Sequence, residues 1–402
     1  MLMVNPRIIA KVKVKDTDES TGIRGRTLNV QVRNGQSFDT PSKPVVIKDF
    51  KAKARNPHYR GKLPGDLAVL PEYIEGRIFE EYLHENGRVN KIHRDLSQYS
   101  DSSSFMVNVP SLQMKPINPG KSIAMVTLKM QLDVPTLSGI CMPLLEASAA
   151  DYGKALEYWI KMSDECGKMC VPQISVSEDV PTFEAKLDNI TELSKTGAVS
   201  MVDVVYGDPR KFRHQYGMLW EKRNELEAIV HCSKAPAKGD RVCDYMNTHP
   251  VYDMLLYGID SMSAPRSPPR PFFPKKDCTE VADIEKYEWA DQGTASMILG
   301  NHWESVDGGH LTCSCPICRG RSQSEIVETY SRKTDGCIDQ SAMKDVSLIH
   351  DHLSFTEELG PIRKRIKGHD MAGYRKGKID ARNKFISSAS FGDIRQFPKR
   401  RS

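Results

Sequence analysis

The fold class is clearest in residues 171–232, which read VPQISVSEDVPTFEAKLDNITELSKTGAVSMVDVVYGDPRKFRHQYGMLWEKRNELEAIVHC. It contains short apolar runs with the length and β-branched content of buried strands, separated by segments with apolar residues at helical spacing. These features predict strands at 171–176, 199–205 and 228–232, and helices at 182–196 and 212–226. Strands that alternate in this way with helices are typical of a parallel α/β fold.

The same alternation extends outward from this stretch. We predict further strands at 27–32, 44–47 and 123–132, and helices at 152–166 and 249–256. Asp133, Asp208 and Asp260 each lie at or just after a predicted unit of this kind. The number of units and these polar ends favour an α/β fold of the (β/α)₈ TIM-type barrel over an open sheet, and the carboxyl ends of barrel strands build active sites.

Composition and charge limit the class of protein. Of 402 residues, 39% are hydrophobic and 27% are charged, which is typical of a globular chain. No apolar run is long enough to span a membrane, and the first residues lack the apolar core of a signal peptide, so we expect a cytoplasmic protein without a membrane partner. From 361 to 402, 13 Lys and Arg residues face 3 Asp and Glu, and such a basic tail favours phosphate contacts or is a solvated tail.

The cysteines form one tight cluster. Cys313, Cys315 and Cys318 lie within six residues, so that three thiolates can face one point on a turn. Tetrahedral Zn²⁺ needs a fourth ligand, for which Cys337, His350 and His352 are the candidates. We predict a closed, structural zinc site with His350, which lies in a predicted helix at 345–353.

These motifs together resemble the tRNA-guanine transglycosylase superfamily over residues 26–358. The family has a C-x-C-x-x-C cluster followed by a helix with an Ile-His pair, and here Ile349-His350 is similar. Further similar segments are Thr40-Pro41, Asp101-Ser-Ser-Ser-Phe105-Met-Val107, Met130-Gln-Leu-Asp133, Val205-Tyr206-Gly207-Asp-Pro209, and Gly258-Ile-Asp260 with the downstream Pro265-Arg266. The region of Gln173 lies where the family has its Gln-Gly-Gly loop, without a clear match in sequence. The resemblance is greatest to the divergent phage and bacterial branch that inserts 7-deazaguanine bases into DNA.

The resemblance implies roles for individual residues. Asp260 is expected to attack C1′ and to hold the sugar covalently, while Asp101 is the general acid and base. Asp133 is expected to accept hydrogen bonds from the edge of the base, and Phe105 to stack on its face. The remaining expected contacts are Gln173, Tyr206 and Gly207 to the base, and Arg266 and Arg270 to phosphates.

The expected function is therefore a transglycosylase that exchanges guanine in DNA for a free 7-deazaguanine of the preQ0 type. One alternative is a tRNA-guanine transglycosylase with the same mechanism. Another is a non-enzymatic zinc protein that binds nucleic acid. The expected organisation is a barrel at 1–300, a zinc-binding subdomain at 301–360 and a basic tail at 361–402, with a homodimer implied by the resemblance.

Overall fold

The fold was examined in a computed structural model. It describes residues 9–19, 24–56, 59–73, 106–119, 122–132, 134–236, 239–255, 257–264, 287–300, 311–330, 333–334, 337–338 and 340–390. Within these residues, no helix is both long and apolar enough to cross a membrane.

The centre of the structure is a five-stranded parallel sheet. Its strands, in spatial order, are β12 (Ser261–Met262), β9 (Ile229–Ser233), β8 (Met201–Val205), β7 (Met169–Ser175) and β6 (Gly139–Met142). The parallel pair β4 (Leu67–Tyr73) and β5 (Val107–Gln113) precedes it in the chain. This arrangement confirms the mixed α/β class with a parallel sheet, while closure into an eight-stranded barrel stays a prediction.

Helices connect the parallel strands and bury their apolar stripes against the sheet. They are α1 (Ile47–Arg55), α2 (Ser122–Leu132), α3 (Ala149–Glu165), α4 (Val180–Lys195), α5 (Arg213–Glu221) and α6 (Pro250–Leu255). Local sequence explains where they begin: the Ser148 hydroxyl accepts from the Asp151 amide, and the Asp179 carboxylate accepts from the Thr182 amide. Both are side-chain caps for amides that a helix leaves without partners.

Antiparallel strands and the last helices complete the described fold. A hairpin sheet joins β1 (Ile9–Thr17), β2 (Arg26–Val32) and β3 (Ser37–Asp39), and its turn places Gly35 at a φ of 85°. A second sheet has the order β10 (Arg241–Cys243), β11 (Met246–Thr248), β14 (Ser296–Leu299) and β13 (Glu288–Asp291), and β15 (Lys333–Thr334) pairs with β16 (Cys337–Ile338). The remaining helices are α7 (Gln323–Tyr330), α8 (Gln340–Lys367) and α9 (Met371–Ser390).

One sequence-based strand prediction is wrong, and another holds only in part. Residues 122–132 form helix α2, although 123–132 read as a buried strand. Seven of the ten residues in 123–132 are apolar without a clear helical or alternating period, so the pattern does not separate a helix from a strand. Packing selects the helix, with Thr127 and Leu128 buried and Met125 half exposed. In the segment 44–47, Val45 makes a parallel bridge to Ala68, but α1 already begins at Ile47.

The expected boundary at residue 360 falls inside one continuous helix, α8. Beyond that boundary, Ile362, Ile366 and Met371 are buried in the same apolar cluster as the parallel strands. The first part of the basic segment is thus packed against the α/β core, and its exposed charges continue along α9. The division into three regions stays a prediction.

Candidate functional site

Cys313, Cys315, Cys318 and His350 converge on one point. Their ligand atoms all lie within 4.8 Å of one another. The Sγ atoms of Cys313 and Cys315 are 3.6 Å apart, and His350 Nδ1 is 3.3 Å from Cys315 Sγ and 3.2 Å from Cys318 Sγ. Thiolates at about 2.3 Å from a tetrahedral zinc ion are about 3.8 Å apart, so the donor set fits this ion. The cluster can therefore bind a metal ion such as zinc.

The tertiary structure selects His350 from the three candidate fourth ligands. Helix α8 directs its Nδ1 to the thiols, while its Nε2 lies 2.7 Å from the carbonyl oxygen of Ala290. A hydrogen bond of this kind fixes the tautomer and leaves Nδ1 as the ligand atom. The ring of His352 instead lies against the Pro64 carbonyl and Asp49. Cys337 belongs to β16, and its side chain lies outside the described residues.

Asp260 occupies a position different from the one that the sequence indicated. It precedes β12 instead of following a strand, and it is fully buried. Arg26 donates to its Oδ2 from Nη2 at 2.6 Å and to its Oδ1 from Nε at 3.1 Å. Thr40 Oγ1 and the Val230 amide donate to the same carboxylate.

Arg26 identifies which end of the strands this is. Its guanidinium also donates to the carbonyls of Leu226 and Ala228, which precede β9. Asp260 thus lies at the amino ends of the parallel strands, whereas barrel active sites lie at the carboxyl ends. The expected placement of Asp260 after a strand is wrong, and its role as nucleophile stays a prediction that this geometry does not favour. Burial raises the pKa of the Asp260 carboxyl, against the effect of Arg26.

Several expected site residues lie outside the described residues, so their roles stay predictions. They are Asp101, Phe105, Asp133, Arg266 and Arg270. The basis for Asp133 changes nevertheless, because the segment before it is helix α2 and not a strand. Lys168 donates from Nζ to the carbonyls of Gln131 and Leu132 at 3.0 and 3.1 Å, and also to that of Val134. The backbone on both sides of Asp133 is thereby fixed.

Gln173 belongs to a buried polar row that crosses the parallel strands. The pairing of the strands aligns Gln173 with Asp203, Asp203 with His231, and His231 with Ser261. Gln173 Nε2 and Ser111 Oγ donate to Asp203 Oδ2 at 2.7 and 2.8 Å. Four neighbouring strands therefore bring polar side chains to one level inside an apolar sheet.

His231 lies in this row between Asp203 and Ser261. Its Nδ1 lies 2.8 Å from Ser261 Oγ and its Nε2 lies 3.0 Å from Ser263 Oγ. Complete burial lowers the pKa of His231 to about 4, so the ring is neutral at physiological pH. The ring therefore lies in the core, with each of its nitrogens beside a serine hydroxyl.

Tyr206 and Gly207 follow β8. Tyr206 lines a cleft of about 530 Å³ together with Asp208, Arg210 and side chains of α6 and α9. Gly207 is closely enclosed, since a Cβ atom there would lie 2.6 Å from Phe212 Cδ2 and 2.8 Å from Val176 Cγ2. Gly207 also accepts a hydrogen bond from the Tyr216 hydroxyl through its carbonyl. Its glycine is explained by packing, and a contact to a base stays a prediction.

Sequence reasoning missed Asp203 and Ser111 as members of this row. The available signal was a carboxylate in the middle of an apolar strand, in the segment VSMVDVV at 199–205. A charged residue is rarely buried unless it is paired or serves a site. The predicted strand alone did not reveal which face Asp203 occupies or which residues lie beside it.

Comparison with known proteins adds little to this description. No protein-family model matches the chain, and no curated protein matches it. A solved structure from Aquifex aeolicus VF5, described only as a structural study, aligns at 11% identity and a TM-score of 0.34. The alignment covers 56% of this chain and 84% of that chain.

Proposed function

We propose that this chain is a base-exchange transglycosylase that replaces guanine in DNA by a free 7-deazaguanine. The observation that carries the proposal is the convergence of Cys313, Cys315, Cys318 and His350. These are the ligands that the resemblance to the guanine transglycosylases implies, and His350 follows Cys318 by 32 residues. The zinc ion would be bound by four protein ligands with no open position, which fits a structural role.

A closed (β/α)₈ barrel is the scaffold that we propose for this activity. Two backbone hydrogen bonds support it, because they extend the five-stranded sheet at each edge. The Ser138 amide donates to the Asn108 carbonyl at 2.8 Å, which links the segment before β6 to β5. The Ser42 amide donates to the Asp260 carbonyl at 2.8 Å, which links the segment before α1 to β12. Val45, three residues later, exchanges hydrogen bonds with β4.

The chemistry would be a double displacement at C1′ of the nucleotide. A carboxylate attacks C1′ as the bond to guanine breaks, and an acid gives the departing base its proton. The incoming base then loses a proton and displaces the carboxylate. Asp101 remains the predicted acid and base. Asp260 would have to leave its ion pair with Arg26 to act as the nucleophile, so its assignment needs a direct test.

The exposed side of the last helices is the proposed contact with the nucleic acid backbone. Lys364, Lys367, Arg375, Lys376 and Lys384 are all exposed on α8 and α9. Cations on a surface of this kind neutralise phosphates and release counterions, which gives sequence-independent affinity. The binding should therefore weaken steeply as the salt concentration rises.

A base-exchange assay tests the proposed function. The zinc-loaded chain is incubated with duplex DNA or tRNA that contains labelled guanine, together with 7-cyano-7-deazaguanine, and release of guanine is measured. Release from DNA is the expected result. Release from tRNA alone would favour the tRNA enzyme, and release from neither, with nucleic acid still bound, would favour the non-enzymatic zinc protein.

A further inference from the structure

Asp203 is a buried carboxylate with one oxygen engaged and one open. Only 1% of the residue is exposed. Its Oδ2 accepts from Gln173 Nε2 and Ser111 Oγ, whereas its Oδ1 has no hydrogen-bond partner among the described residues. A buried carboxylate oxygen without a donor is costly, so such an atom calls for a donor beyond those that the described residues supply.

Gln173 presents a second open acceptor beside it. A carboxylate oxygen can only accept from the Gln173 amide, so its NH₂ group must face Asp203 and its Oε1 must face away. Within the described part of the chain, Oε1 also lacks a hydrogen-bond partner, and Gln173 is 1% exposed. Two neighbouring strands therefore carry two unpartnered acceptors on side chains that are hydrogen-bonded to each other.

The carboxylate interacts electrostatically with the Lys234 ammonium, but no cation of the described residues pairs with it directly. His231, the next member of the row, is bound to two serine hydroxyls and is neutral at physiological pH. Lys234 directs its Nζ to the Met114 carbonyl at 3.4 Å. No ion pair to Asp203 occurs among the residues that the structure describes, in contrast to Asp260 with Arg26. A ligand rich in N–H donors would complement this charge.

We propose that Asp203 and Gln173 form the acceptor pair that selects a heterocyclic base with two adjacent N–H donors. The N1–H and exocyclic amine of a guanine or 7-deazaguanine ring have this arrangement. The inference rests on the proposed function for the identity of the base, and it transfers to Asp203 the recognition that the sequence assigned to Asp133. Asp203 is a specificity residue in this proposal and not the nucleophile.

The test compares two bases that differ by one donor. Titration calorimetry on the full zinc-loaded chain measures binding of 7-deazaguanine and of 7-deazahypoxanthine, which lacks the exocyclic amine. We expect wild-type protein to prefer 7-deazaguanine by about 10- to 100-fold, as expected for a lost hydrogen bond to a charged acceptor. Asp203→Asn turns an amide donor toward the ligand, so that the preference should fall to about threefold or less.

Two further variants make the outcome specific. Asp188→Asn removes an exposed carboxylate on α4 that pairs with Lys222, and it should keep the full preference. In this pair Asp203 accepts from the exocyclic amine and Gln173 accepts from N1–H, which both bases carry. Gln173→Met should therefore weaken the binding of both bases by about 10-fold while the preference remains, which provides a result even if Asp203→Asn does not fold. Unchanged binding of both bases by Gln173→Met would contradict the pair. Wild-type protein that binds neither base, or an Asp203→Asn variant that folds and keeps the preference, overturns the proposal.

The result is separable from the proposed function. Selective binding that depends on Asp203, without exchange into DNA or tRNA, supports the acceptor pair and contradicts the transglycosylase. Exchange by Asp203→Asn with an unchanged KM for 7-deazaguanine supports the transglycosylase and contradicts the acceptor pair.

Discussion

Replacing Asp260 by asparagine separates a structural role from a catalytic one. The side chain is fully buried, and its carboxylate receives hydrogen bonds from Arg26, Thr40 and the Val230 amide. The substituted amide would keep the size of the side chain but lose the charge that balances the guanidinium, whose side chain is 1% exposed. Removing one partner of a buried ion pair costs about 3–5 kcal/mol, because the other charge stays buried.

Thermal unfolding followed by circular dichroism measures this effect. In a chain of 402 residues the loss should lower Tm by roughly 4–6 °C. Asp188→Asn serves as the control, since its carboxylate is exposed and an exposed pair contributes about 1 kcal/mol or less. An Asp260→Asn variant that melts within about 1 °C of wild type while losing all base exchange would refute the structural interpretation and restore Asp260 as the nucleophile.

Three more predictions follow from buried groups. Elemental analysis should find about one zinc per chain. Cys318→Ser should lose the metal and several kcal/mol of the free energy of unfolding. The control Cys166→Ser, outside the cluster, should keep the metal and the stability. Burial lowers the pKa of His231 to about 4, below its unfolded value of about 6.5, so the unfolded chain binds more protons between these pH values. The free energy of unfolding should therefore fall by about 3 kcal/mol as the pH is lowered from 7 to 4. Denaturant titrations of His231→Gln should not show this part of the pH dependence. Lys168→Met leaves three carbonyls at the end of α2 without their charged donor and should lower the free energy of unfolding by about 3 kcal/mol in urea; a loss below about 0.5 kcal/mol would contradict the contacts.

Three of the parallel strands, β7, β8 and β9, were predictable because their signal is local, whereas β4, β5, β6 and β12 were not predicted. The apolar runs at 171–176, 199–205 and 228–232 have the length of a strand. Each is flanked by turn residues or by a segment with apolar residues at helical spacing. The helix 122–132 was not predictable in this way, because seven of its 11 residues are apolar without a clear period, which suits a buried helix as well as a buried strand. Its neighbours decide: Gln131 exchanges hydrogen bonds with the backbone of Cys141 in β6, and Lys168 binds the carbonyls at its end.

The residues of the candidate metal site were likewise predictable only in part. The sequence indicated the three cysteines as candidate metal ligands, because a spacing of two and three residues allows their thiols to face one point on a tight turn. Only the tertiary structure chose His350 over His352, because two residues along a helix point to different sides.

Asp203 and Asp260 show most clearly what local sequence does not predict. Both are aspartates beside apolar strand residues, and their sequence contexts do not separate them. The sequence predicted parallel strands and a cluster of cysteines that can bind a metal. The tertiary structure decided that Asp260 meets Arg26, 234 residues away, while Asp203 keeps an open oxygen beside Gln173. The physical reason is that the state of a buried carboxylate depends on the donors that distant segments bring to it, and local spacing does not encode those segments.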